Sequence, residues 1–303
     1  MGLMQRHYAT ADVFTTEPLG GNPVAVVLDA EGLTTAQMQA LAAEFNYVET
    51  TFVLPAADPG HTAHVRIFTP DREVPFAGHP NIGTAFLLAR ERVKAGGAPP
   101  EHFVFEEAAG LVSIDLIHEN GVVVGADLLS PEPLARHAEV DAARAAACLG
   151  LAEDDVRTDA HRPQVVSVGL PFLVLELASR EALRRAKPDR RAYDGLFPLD
   201  GARAVYAYTR DAGKDGAEHG HDLHSRMFTW RLVEDPATGS ATAAVTALLA
   251  ELRGVEVRLR VHQGQDMGRP STLLTRSAVE NGAIRARVGG RCAAMFSGVF
   301  NLG

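Results

Sequence analysis

Cysteine is nearly absent: Cys148 and Cys292 are the only two in 303 residues. That is too few for a disulfide framework or a cysteine-built metal centre. No apolar run approaches the ~20 residues a bilayer crossing needs, and Met1-Gly-Leu-Met-Gln-Arg-His-Tyr8 lacks the apolar core of a secretion signal. Basic charge is in deficit. A formal charge of -9 and a pI near 5.7 argue against nucleic acid or an anionic membrane as the main partner. With no Walker A loop and no Gly-x-Gly-x-x-Gly after a strand, nucleotide cofactors have no support. The expectation is a cytoplasmic protein with no cofactor that handles small molecules. At 46% hydrophobic and 22% charged residues the chain reads as globular, and it is long enough for two domains.

What is present is a repeat. His79-Pro-Asn-Ile-Gly-Thr-Ala85 reappears as Asp235-Pro-Ala-Thr-Gly-Ser-Ala241, each followed by a helix-like run. Proline after a polar residue predicts a helix start with the proline at the first helical position. Such a start offers backbone N–H groups and a positive dipole end to an anion. From Ala237 to Ala250 there is no charged residue, and a helix apolar on every side is buried on every side. Its wrapping is expected to be a curved sheet. Glu119-Asn-Gly121 and Glu280-Asn-Gly282 predict one hairpin turn in each half. Helix start and hairpin recur in the same order, which favours duplication. Ser130-Pro-Glu-Pro133 is the candidate linker, giving lobes 1–129 and 130–303, with a final strand near 293–301 expected to cross back to the first lobe. Earlier in the chain, Thr34 and Gln37 are spaced as a capping box, with Met38, Leu41, Ala42 and Phe45 as an apolar stripe and Asn46 as the stop.

Candidate chemistry must compete with plainer readings. A lone histidine before a helix is usually a cap or surface group. Paired with Asp235 before the second helix, however, His79 becomes a proton-transfer candidate. Glu49 lies on the strand Tyr47–Leu54, opposite the face carrying Val48, Phe52 and Leu54; unaided, it supports only a weak reading as a general base, since a strand carboxylate is most often solvated. His219-Gly-His-Asp-Leu-His224 invites zinc, but lacks a supporting cysteine or a helical His-Glu-x-x-His, and reads as a solvated loop with no metal. Arg269, in Gly268-Arg-Pro-Ser271, reads as part of a structural turn.

Taken together, Asp12-Val-Phe14, Gly21-Asn-Pro-Val-Ala-Val26, Glu49-Thr-Thr-Phe52, Phe76-Ala-Gly-His-Pro80, Glu234-Asp-Pro-Ala-Thr-Gly-Ser-Ala241 and Gln263-Gly through Ser271 resemble the PhzF family of phenazine-biosynthesis isomerase-like proteins. The resemblance covers nearly the whole chain. It implies an α+β, diaminopimelate epimerase-like fold: two pseudo-symmetric lobes, each a curled, mostly antiparallel sheet around a central buried helix, with the site in the cleft between. It also implies that Glu49 is the acid/base, that His79 and Asp235 are the cleft partners, and that Asn22, Gly78, Gly239 and Ser240 contact substrate. Related epimerases and proline racemases keep a cysteine at each helix start; here those places are read as Ala77 and Pro236, which removes a two-thiol mechanism.

The expectation is therefore a cofactor-independent isomerase, with a small carboxylate-bearing substrate, as a homodimer. A racemase or epimerase is the second enzymatic reading. A non-catalytic small-molecule binder on the same scaffold is the rival from another class.

Overall fold

Two strands, β1 (Met4–Val13), apolar at alternate positions from Ala9 to Val13, and β2 (Asn22–Val27), apolar throughout from Val24, pair antiparallel from Tyr8↔Val27 to Val13↔Asn22. The turn between them passes through Gly21 at φ 62, where a Cβ would lie 2.3 Å from the Val13 carbonyl oxygen. Only glycine fits. The structure, a computed structural model, describes residues 4–211 and 220–302. The chain divides into two units, Met1–Leu129 with Gly289–Gly303, and Ser130–Val288.

In the first unit α1 (Thr35–Phe45) carries the chain from β2 to a parallel partner, β3 (Glu49–Leu54). The Thr34/Gln37 capping box is formed, and Asn46 closes the helix in the left-handed region. Met38 and Ala42 of α1 bury against Val27, Phe52 and Phe68. Antiparallel to β3 runs β4 (Ala63–Phe68). The two-residue β5 (Glu73–Val74) pairs with β4 and leads into α2 (Gly78–Lys94). Beyond α2, β6 (His102–Glu107) pairs parallel with β4, then β7 (Gly110–Glu119) and β8 (Val122–Leu129) follow antiparallel. Asn120 at φ 50 and Gly121 at φ 78 make the expected hairpin turn. The sheet wraps α2, whose first half is buried from Gly78 to Leu87. Gly83 permits this closeness, since a Cβ there would meet Val24 Cγ1 at 2.4 Å.

The second unit contains β9 (Ala135–Glu139), α3 (Ala142–Ala147), β10 (Val156–Arg157), β11 (Gln164–Ser167), β12 (Pro171–Leu177), α4 (Arg180–Arg185), α5 (Arg190–Asp194), β13 (Val205–Thr209), β14 (Leu223–Phe228), β15 (Glu234–Asp235), α6 (Gly239–Arg253), β16 (Arg258–Gln263), β17 (Ser271–Glu280) and the first part, up to Val288, of β18 (Ala283–Leu302). The pairing repeats that of the first unit. Strands β11 and β12 are antiparallel, β12 and β13 parallel, β13 and β14 antiparallel. Next, β14 takes β15 antiparallel and β16 parallel, and β16 takes β17 antiparallel. Asn281 at φ 52 and Gly282 at φ 78 turn β17 into β18. Helix α6, without charge up to Ala250, is buried at Gly239 and from Ala241 to Ala250. The other face of this sheet packs Leu173, Leu175, Val205 and Phe228 in one cluster with Ala145 of α3, Leu149 of the turn after it and Leu183 of α4. The fold is α+β. Among the described residues no helix is long and apolar enough to cross a membrane.

Two expectations need correction. The final strand is not a separate piece: β18 runs unbroken from Ala283 to Leu302, and its part from Gly289 onward belongs to the first unit, where it pairs with β1. The duplication is real, but the phase read from the sequence slips by five residues. Phe68 pairs with Glu73 as Phe228 pairs with Glu234. Counting on, Pro75 corresponds to Pro236, Ala77 to Thr238, Gly78 to Gly239 and His79 to Ser240. Consistent with this, α2 starts at Gly78 and α6 at Gly239. Neither Pro80 nor Pro236 is the first helical residue; Pro75 and Pro236 instead end the short strand and turn the chain toward the helix.

Candidate active site

An arginine–carboxylate fork anchors each helix start. Arg66 Nε and Nη2 donate to Glu73 at 2.7 Å each, and Arg226 Nε and Nη2 donate to Glu234 at 2.8 and 2.7 Å. Such bidentate bonds are directional as well as strong, so they fix the two-residue strand that leads toward each helix. The N-caps are Ala77 and Thr238, and neither gives its helix a side-chain cap. Both helix starts therefore keep the character of an anion site.

In the first unit Thr51 Oγ1 meets Thr84 Oγ1 of α2 at 2.7 Å. Side chains alternate along a strand, so Glu49, two residues earlier, faces the helix as well, nearer its start. Its Oε2 lies 3.2 Å from His79 Nδ1, with the two side chains 15% and 6% exposed. His79 Nε2–H donates to the Pro23 carbonyl at 3.4 Å. A carbonyl can only accept, so Nδ1 presents its lone pair to Glu49. Burial lowers the His79 pKa to about 3, outweighing the upward pull of the Pro23 bond. The ring is thus neutral at physiological pH, and the contact is carboxyl to imidazole rather than a salt bridge. Asn22, fully buried at the head of β2, precedes Pro23.

In the second unit Asp235 closes β15, and its Oδ2 accepts from Thr238 Oγ1 at 2.5 Å. Gln263 grips the same segment three times. Its Nε2 donates to the Asp235 carbonyl and to Thr238 Oγ1 at 2.9 Å each, and its Oε1 accepts from Thr238 N at 3.1 Å. Ser271 Oγ donates to the Pro236 carbonyl at 3.2 Å. Gly264 lets Gln263 come this close: at φ 77, a Cβ there would sit 2.5 Å from the Pro236 carbonyl oxygen. Gly239 and Ser240 are the first two residues of α6.

Of the residues singled out from the sequence, the structure brings Glu49, His79 and Gly78 together at one helix start in the first unit, and Asp235, Gly239 and Ser240 at the other in the second. It adds Thr238, Gln263 and Ser271, which the sequence marked only as family-like fragments. It also adds Glu107, which holds in the first unit the place Gln263 holds in the second (Ala63↔Phe105 against Leu223↔Val261). Burial raises the Glu107 pKa to about 8, against a smaller downward pull from Asn81. The carboxyl there is mostly neutral at pH 7, much as the amide of Gln263 is.

The position matching Ala77 is Thr238, not Pro236, and neither is cysteine. Cys148 and Cys292 are buried, and burial pushes both thiols up, Cys148 to about 11. Neither is a thiolate at neutral pH. Arg269 belongs to a turn, its N–H donating to the Gly264 carbonyl at 3.0 Å. The histidine segment differs from expectation. His219 lies outside the described residues, but His224 is a buried member of β14 rather than part of a solvated loop.

Comparison with known proteins agrees with this frame. The family model for phenazine biosynthesis-like proteins, PhzC-PhzF, matches residues 11–298. An uncharacterized isomerase of Mesorhizobium japonicum is 40% identical, covering 98% of this chain and 99% of its own. A trans-2,3-dihydro-3-hydroxyanthranilate isomerase of Pseudomonas aeruginosa is 37% identical over 89% of this chain and 90% of its own. Among solved structures, a predicted epimerase from Pseudomonas aeruginosa superposes with a TM-score of 0.77 at 35% identity, covering 97% and 98% of the two chains. A hydroxyproline epimerase from Agrobacterium vitis, at 16% identity and a TM-score of 0.63 over 100% and 93% of the chains, shares the fold. A chain with two buried helix starts in repeated frames, no thiol at either, and this match over nearly its full length belongs to the PhzC-PhzF family of phenazine biosynthesis-like proteins, whose named relatives are isomerases.

Proposed function

We propose that this protein is a cofactor-independent isomerase that moves a proton between two carbons of a small, unsaturated, carboxylate-bearing substrate. The observation that carries the reading is the Glu49 carboxyl, 3.2 Å from a neutral His79 at an uncapped helix start. Ionised Glu49 takes a proton from one carbon, and the electron pair left behind shifts into the conjugated system. The resulting anion is met by helix-start N–H groups, which need no reorganisation to receive it. Glu49, now a carboxylic acid, can donate its O–H to the His79 Nδ1 lone pair while it waits. It then returns the proton to a second carbon and is a carboxylate again. Atoms and charge balance, and nothing is oxidised or reduced.

In this reading Asp235, held by Thr238 and Gln263, orients the substrate and exchanges protons with its polar groups. A racemase would need a second base on the opposite face of one carbon. The buried, protonated thiols Cys148 and Cys292 are poor candidates for that role.

The substrate named for the Pseudomonas relatives, trans-2,3-dihydro-3-hydroxyanthranilate, is the compound to test first. Incubated with the protein in heavy water and followed by NMR, it should isomerise with a hydrogen shifted from one ring carbon to another. Binding with no carbon-bound hydrogen moved or exchanged would make the protein a binder and defeat the proposal for this substrate.

A further inference from the structure

Three imidazoles gather in the second unit on the face of the sheet that turns away from α6. Ser225 Oγ donates to Gln263 Oε1 at 3.4 Å, and Gln263 reaches on to Thr238, so both side chains point toward the helix start. Their neighbours His224 and His262 therefore project from the opposite face. These two residues are direct partners in the parallel β14–β16 register. His221 lies against them, its ring stacked on that of His262 with centroids 4.4 Å apart. Its Nε2 is 3.4 Å from the hydroxyl of Thr272, the residue of β17 opposite His262. His224 is 3% exposed and His262 is 9% exposed. One ring nitrogen from each of the three lies within 4.8 Å of the other two.

The duplicated frame shows what is special here. His61, His64 and Glu106 hold the matching places in the first unit, counted from the same pairings. There the third member is a carboxylate engaged by the Ala57 and Asp58 N–H groups and by His61 Nδ1 at 2.8–2.9 Å. Those bonds, the Asp58 N–H first, lower its pKa to about 2. In the second unit the third member is an imidazole, so the set is all nitrogen.

We propose that His221, His224 and His262 form a binding site for a divalent transition-metal ion of the zinc class, distinct from the residues given to the isomerase chemistry. Imidazole suits zinc, copper, cobalt and nickel rather than magnesium or calcium, and three imidazoles leave a fourth position for water. An ion ~2.0–2.1 Å from each nitrogen brings the nitrogens to ~3.4 Å of one another, so binding turns the rings out of their stack. The ion would tie β14 to β16 directly behind Ser225 and Gln263, the residues that brace the Asp235 segment.

The test titrates metal-free protein, with no histidine tag, with Zn(II) by calorimetry and with Co(II) by visible absorption. One ion should bind per chain, and Co(II) should give ligand-field bands of a nitrogen-rich, four- or five-coordinate site. In His262→Gln and in the more accessible His221→Ala, affinity should fall by more than the ~10–100-fold typical of losing an outer-shell partner. Wild type that takes up no Zn(II) at a tenth of a millimolar, or a folded His221→Ala protein that binds as wild type does, would overturn the proposal. Circular dichroism of each variant separates loss of the site from loss of fold.

Discussion

The two helix starts are built on one plan and furnished differently. Each has a two-residue strand, an arginine–glutamate fork, a proline turn and a glycine as first helical residue. Where the first unit has Asn22, Glu49 and His79, the pairings put Leu170, Ala204 and Ser240 in the second. Where the first has Val74, Ala77 and Glu107, the second has Asp235, Thr238 and Gln263. Repetition thus supplies the scaffold and its helix starts, and in the proposed reaction the departures from repetition would supply the acid, the base and their supports. A symmetric two-base reaction would want matched groups at both starts. A reaction run by one carboxylate does not.

Moving that carboxylate is the sharpest way to break the comparison. Glu49→Ala combined with Ala204→Glu restores the charge count but at the wrong start. Turnover should fall by the ~10²–10⁴ that general acid–base catalysis is worth, as in Glu49→Ala alone. Steady-state rates of the two variants check this, and recovery in the double variant would mean the starts are interchangeable.

The forks come next. The side chains of Arg226 and Glu234 are 12% and 14% exposed, those of Arg66 and Glu73 21% and 36%. Removing one member of a buried pair strands the other charge. Arg226→Ala should therefore cost about 3–5 kcal/mol in chemical unfolding, against nearer 1 kcal/mol for Arg66→Ala. Equal losses would show that burial does not separate the two forks.

The smallest effect concerns pH. Folded Glu107 keeps its proton up to about pH 8, whereas the unfolded group releases it near 4.5. The folded state then binds more protons across that window, so this residue's contribution makes stability fall as pH rises from 4.5 toward 8. Glu107→Gln, which copies Gln263 of the second unit, removes that slope. Thermal midpoints of the variant should overtake the wild type progressively above pH 5, and parallel curves would show that Glu107 is not buried as a neutral acid.

Much of this was legible in the residues themselves. The Thr34/Gln37 box, the charge-free stretch from Ala237 to Ala250 and the two Asn-Gly turns are local signals, decided by neighbours a few positions apart. The phase of the duplication was not. Proline, glycine and alanine recur so densely around both starts that a five-residue slip still matches, and only the strand pairings of Glu73 and Glu234 correct it. The place of Glu49 could be read as a strand face, but its meeting with His79 depends on the β2–β3 pairing and on how α2 lies against the sheet. Gln263 and Glu107 were invisible as counterparts because parallel pairing, not sequence, makes them so. The histidines around 221–224 read as solvated because their partner, His262, is far along the chain.

The central claim is that a single carboxyl group, Glu49, carries the proton. Its most direct test is hydrogen exchange in heavy water by Glu49→Gln, with trans-2,3-dihydro-3-hydroxyanthranilate as ligand and NMR as readout, alongside a binding titration. The account predicts a folded protein that still binds the ligand, with exchange and shift of the carbon-bound hydrogen reduced ~10²-fold or more. Near-normal exchange by that protein would contradict it and return the proton to another residue.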